Sequence, residues 1–201
     1  MFVIVLVAFI VGLAAALLFG PDRQPPVNNT DGLVATVLPD PQALVEFEMQ
    51  DHRGQPFTQD DFQGHWSLVF FGFTSCPDIC PMTLQVLADV RQLMQDSGSE
   101  PPSVALVSVD PARDDIPALQ QYVAHFDPEF IGLRGADEQL LAFAKQLGAY
   151  YQPDAPDEDG NYNVAHSAAL FLIDPRGRYH AVFSPPHYAD QIATAMDRIS
   201  G

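Results

Sequence analysis

Cysteine occurs only twice in this chain, at positions 76 and 80. Two thiols cannot build the dense disulfide scaffold of a small secreted domain. Basic side chains are scarce as well: 9 lysines and arginines stand against 26 acids, for a formal charge of −17. Such a surface repels phosphate, which argues against any nucleic-acid partner, and it disfavours docking on anionic lipid. Its plainest consequence is solubility; a second is attraction of cations or of a basic partner. No internal repeat and no long low-complexity run is found. The composition is otherwise globular, and the ~180 residues beyond the apolar N-terminus suit one domain with one core.

Charge is missing altogether from positions 2 to 19. As a helix rising ~1.5 Å per residue they span ~27 Å, close to the hydrocarbon core of a bilayer. A cleaved signal peptide usually carries a basic n-region, and none precedes this run. We therefore expect an uncleaved transmembrane helix at 1–20, its orientation weakly set by charge. Residues 21–41, PDRQPPVNNTDGLVATVLPDP, read as an extended or disordered linker. Residues 42–201 are the expected folded domain.

Within that domain VEFEMQDHRGQPF alternates around a turn signal and predicts a hairpin. WSLVFFGF (66–73) and VALVSVD (104–110) are continuous apolar runs of the kind buried on both sheet faces. Between them Leu84, Leu87, Val90 or Arg91, and Met94 recur at helical spacing. IPALQQYVAHF and ADEQLLAFAKQLGAYY predict two further helices, with the short strand FIGLRG between them. An acidic loop (152–163), two strands around Asp-Pro-Arg-Gly and a final helix complete the chain. The order implies an α/β fold, a central mixed sheet flanked by helices. In such sheets ligands gather at the C-terminal ends of strands, where the cysteine segment falls.

Cys76 and Cys80 stand in FFGFTSCPDICPMTL. With a helix starting near Pro77, both thiols share one face ~6 Å apart, and the helix N-terminus stabilises a thiolate. That separation permits a disulfide and equally permits two grips on one metal. The Cys-x-x-Cys signature of dithiol exchange is missing, and two buried, inert cysteines are the bland alternative. A metal would need a third ligand. His52 and His65 read as solvated, His125 as a helix-end cation, His180 and His187 as hairpin and loop residues, and Met82 as a core residue. His166 follows the long loop and opens the strand SAALFLID. Position alone leaves it either a ligand or a hydrogen-bonded structural histidine.

FTSCPDICPMTL, SVDPARDD, YVAHFDPEFIGLRG and YNVAHSAALFLIDPRGR together resemble the Sco/SenC family over roughly residues 40 to 200. The resemblance implies a thioredoxin-like fold with an inserted hairpin. It implies copper, as Cu(I) or Cu(II), bound by Cys76, Cys80 and His166. It implies a membrane-anchored metallochaperone rather than an enzyme, anchored in the inner membrane with its domain in the periplasm. Its expected partner is the CuA domain of cytochrome c oxidase subunit II, to which it delivers copper or whose cysteines it reduces, alongside other copper chaperones or thiol reductants. Ala165 departs from the aspartate often found before the family's histidine. Thiolates suit Cu(I) and imidazole suits either copper state, although Cys2His with a fourth ligand also accepts zinc. An oxidised Cys76–Cys80 pair cannot hold the metal, so redox state would gate loading. The alternatives are a thiol–disulfide oxidoreductase, a redox or copper sensor, and, more remotely, a peroxidase.

Overall fold

The computed structural model describes residues 34–201. Its ten strands are β1 (Ala35–Ala43), β2 (Glu48–Asp51), β3 (Pro56–Thr58), β4 (Ser67–Gly72), β5 (Ser103–Ser108), β6 (Ile131–Arg134), β7 (Tyr151–Pro153), β8 (Val164–His166), β9 (Leu170–Ile173) and β10 (Arg178–Phe183). The four α-helices are α1 (Ile79–Ser97), α2 (Ile116–Phe126), α3 (Asp137–Leu147) and α4 (Ala189–Ser200). No helix among the described residues is long and apolar enough to cross a membrane. The expected anchor at 1–20 lies outside the described residues.

Eight strands form one mixed sheet in the order β1-β10-β9-β4-β5-β6-β2-β3. β4, β5 and β6 run parallel, and β9 joins β4 antiparallel. All six residues of β4 are buried, as its unbroken apolar run requires. Its alternation sends Phe70 and Phe71 to opposite faces. Phe71 meets Phe143 of α3, which also packs on Phe47 and Phe62. On the other face, the space above Gly72 is closed by Cys80 of α1, Phe70 and Leu106, and that above Gly132 by Leu119 and Val123 of α2. The helical spacing read from the sequence is the buried stripe of α1: Cys80, Thr83, Leu84, Leu87, Val90, Arg91 and Met94. The β2–β3 hairpin turns at Gly54, whose φ of 76° a side chain would strain.

Three expectations need correction. The linker does not reach residue 41, because β1 begins at Ala35 and pairs antiparallel with β10. Pro39 and Pro41 are tolerated because β1 is an edge strand whose register breaks between Val37 and Gln42. Met82 is 64% exposed, since a helix starting at Ile79 turns position 82 away from the stripe. His166 does not open the strand of residues 170–173. It closes β8, which pairs only with β7 to make a separate two-stranded sheet.

Candidate metal centre

The cysteine segment lies where β4 gives way to α1. Helix α1 starts at Ile79 rather than near Pro77, with Asp78 at its N-cap and making no side-chain capping bond. Cys76 therefore sits in the loop and Cys80 in the first helical turn. Cys76 N–H donates to Phe73 C=O at 3.2 Å, and Cys80 N–H donates to the Cys76 sulfur at 3.4 Å. Both thiols are free, Cys76 being 8% exposed and Cys80 fully buried. Burial, and then the contact with Cys76, pushes the Cys80 thiol pKa well up.

His166 arrives from the β7–β8 hairpin. Its Nε2 lies 3.4 Å from Cys80 Sγ and 3.9 Å from Cys76 Sγ. Its Nδ1 is 3.1 Å from the Ser167 carbonyl, which can only accept, so Nδ1 carries the proton and the Nε2 lone pair faces the sulfurs. The imidazole is wedged edge-on against Phe70 and Phe73, each ring centre 5.8 Å away. Burial lowers its pKa, with the Ser167 bond acting the other way. A neutral imidazole and two thiols thus converge, their ligand atoms all within 4.8 Å of one another. An ion held at ~2.0–2.3 Å by such ligands sets them roughly 3.5–3.8 Å apart, and the two Nε2–Sγ distances of 3.4 and 3.9 Å are already close to that.

Among the described residues no other group of three His, Cys, Asp or Glu side chains meets that test. His52 accepts the Gly132 N–H through Nδ1, and His187 Nε2 donates to the Ala168 carbonyl. His180 packs edge-on against Trp66, and His125 is exposed at the end of α2. Arg91, the arginine nearest the cysteines in sequence, is bound to Asp127, Glu129 and the Pro102 carbonyl.

Sequence reasoning missed the groups that hold the ligands. Asp114, fully buried, accepts the Thr74 hydroxyl at 2.6 Å, the Thr74 N–H at 3.2 Å and the Ser108 hydroxyl at 2.6 Å. Thr74 is two residues before Cys76. The available signal was topological: β4 and β5 are parallel neighbours, so the loops leaving their C-terminal ends must meet.

The fold and this Cys2His cluster define a thioredoxin-like domain with a cluster able to hold a metal ion at the C-terminal end of the strand β4. The family model described as SCO1/SenC matches residues 37–201, and the chain belongs to that family. It is 40% identical over 154 residues to the mitochondrial SCO2 homolog of Bos taurus, covering 76% of this chain and 58% of that protein. A SCO2-like protein of Rickettsia felis is 32% identical over 178 residues, 88% of this chain and 86% of the relative. The crystal structure of Arabidopsis thaliana ScoI with copper bound superposes with a TM-score of 0.70 at 30% identity, covering 77% of this chain and 95% of that one. The chain spans a little over half the length of the mitochondrial relatives it matches.

Proposed function

We propose that this protein is a copper chaperone. It binds one copper ion through Cys76, Cys80 and His166 and serves the CuA site of cytochrome c oxidase subunit II during assembly. The observation that carries this reading is the convergence of two thiols and one lone-pair-bearing Nε2 within 4.8 Å. Soft sulfur donors favour Cu(I), and imidazole accommodates either oxidation state. The copper-bound relative with 30% identity supports the choice over zinc. Residues 1–20 are its membrane anchor, residues 21–33 its tether, and the domain faces the periplasm.

The protein's own groups have distinct tasks. Ser167 fixes the tautomer of His166, and Phe70 and Phe73 fix its plane and keep water from it. Loading displaces a proton from the buried Cys80 thiol. A second reading, reduction of a partner's disulfide, is favoured by the two adjacent free thiols. In that step both S–H bonds break and a Cys76–Cys80 disulfide forms. Two electrons and two protons pass to the partner, whose S–S bond becomes two thiols.

The test is a competitive Cu(I) titration of the reduced chain in detergent, without oxygen, for wild type, Cys76→Ser, Cys80→Ser and His166→Ala. One tight equivalent, weakened in all three variants, is expected. Undiminished binding in His166→Ala would remove the histidine from the site. No competitive binding by the wild type would sink the copper reading and leave the dithiol reductase.

A further inference from the structure

The β7–β8 hairpin presents a physical problem. Its strands are three residues each and pair only with one another, outside the main sheet. A lone two-stranded ribbon is marginal in water. Yet it carries His166, whose Nε2 must meet two sulfurs fixed in the core. Something outside the hairpin has to hold it.

Val164 packs into the core, and the turn after β5 supplies the polar hold. Arg113 and Asp114 N–H both donate to the Asp110 carbonyl, closing the turn tightly. The Arg113 guanidinium bonds the Asp110 carboxylate through Nε and donates through Nη1 to the Tyr162 carbonyl at 2.9 Å. Its central carbon lies 3.8 Å from the centre of the Tyr162 ring and 5.6 Å from that of Phe73. The Tyr162 hydroxyl returns to the same Asp110 carboxylate at 2.7 Å. Tyr162 is four residues before His166. Phe73 is 1% exposed, touches the His166 ring and is three residues before Cys76. One planar cation therefore bridges the histidine hairpin and the cysteine loop.

We propose that Arg113 is a positioning residue for the metal centre, clamping the His166 hairpin against the cysteine loop by its stack on Tyr162 and its contact with Phe73. This rests on the reading of Cys76, Cys80 and His166 as one metal site. The planar fork suits this role, because it can lie flat over a ring while donating within its own plane; a lysine ammonium has donors but no flat face. Asp114, one residue on, grips the cysteine side through Thr74. The two halves of the site are thus aligned by one turn.

The first test needs no metal. Amide hydrogen exchange of the full chain is compared for wild type and Arg113→Met. Loss of these bonds should speed exchange at residues 162–167 by about tenfold or more, leaving β4 and β5 protected. The second is Cu(I) affinity in two backgrounds. Arg113→Met should cost about tenfold when His166 is present and less than about twofold in His166→Ala, because the arginine acts only through the histidine. Should Arg113→Met fail to fold, Tyr162→Ala removes the stack while leaving the Arg113–Asp110 pair, and the same pattern is expected. Equal losses in both backgrounds, or unchanged exchange in the hairpin, would overturn the clamp. Failure of the wild type to bind Cu(I) would instead defeat the metal reading, and the exchange experiment would still decide the clamp.

Discussion

Gly72 is where the core and the metal centre compete for the same space. It ends β4, and its φ is not positive, so alanine meets no backbone strain there. The obstacle is crowding. A methyl group on Gly72 would lie 2.8 Å from Cys80 Sγ, 3.0 Å from a Phe70 ring carbon and 3.1 Å from a Leu106 methyl. Ordinary contact begins near 3.4 Å, so the sulfur or the backbone must give by about 0.6 Å. Overpacking of this kind costs about 1–3 kcal/mol. At about 2–4 °C per kcal/mol for a domain of this size, Gly72→Ala should lower Tm by roughly 2–12 °C. The effect on metal should be larger. Metal–sulfur bonds are held to within ~0.2 Å, so a Cys80 sulfur pressed by the new methyl group must work against that crowding to reach the metal. Cu(I) affinity should fall about 10–100-fold, the range seen when groups supporting a ligand are lost. Thermal melts and competitive Cu(I) titration measure the two losses. In a Cys80→Ala background the stability cost should shrink, since the closest contact is gone. A Tm and an affinity both unchanged by Gly72→Ala would refute the packing argument. A lowered Tm with intact affinity would show that the backbone yields rather than the sulfur.

Acid should act on the histidine and base on the thiol. Because burial lowers the His166 pKa, the unfolded chain takes up that proton first as pH falls. His166 therefore costs no stability above about pH 6.5 and progressively destabilises the fold below it. Urea midpoints between about pH 7.5 and 5.5 should decline more steeply in wild type than in His166→Gln, and equal slopes would exclude the effect. Since Cu(I) must displace the proton of buried Cys80, affinity should rise at least about tenfold per pH unit from about pH 6.5 to 8.5, and a flat profile would contradict this. Arg91→Met leaves the mostly buried Asp127 carboxylate without its cation, with only the Glu129 N–H still on it, and frees the Pro102 carbonyl, and should cost about 3 kcal/mol in urea unfolding. Glu129→Gln, on the same arginine but 71% exposed, should cost under about 1 kcal/mol, and comparable losses would show that burial is not what separates them. Ala165→Asp should change Cu(I) affinity less than about threefold, because Ser167 already holds His166 Nδ1 and position 165 faces away along the strand. A tenfold gain would mean that the carbonyl is an inadequate orienter.

Elements governed by a single hydrophobic period are legible in the residues alone. The unbroken apolar runs of β4 and β5 and the helical recurrence of Leu84, Leu87 and Met94 state their burial directly. β1 is hidden because its prolines signal a linker, and only the partner strand β10 shows that an edge position tolerates them. The cysteines are legible as a pair, since three intervening residues keep them close, although Cys76 lies in the loop before the helix rather than on the helical turn expected. His166 is not legible from any such rule. It reaches the sulfurs because an eight-stranded sheet places β4 beside β9 and because a separate ribbon folds back across the strand ends. Only the resemblance to a family joins it to the cysteines. Arg113 is harder still, although it stands within SVDPARDD, a stretch that carries part of that same resemblance. A surface arginine beside two aspartates reads as a solvated turn, and nothing local reveals that its guanidinium meets two aromatic rings from separate segments. What the sequence conceals here is the third dimension of a site whose histidine stands 86 and 90 residues from its two cysteines along the chain. The short-range rules describe each half well, and the turn at 110–114 is the element that relates them.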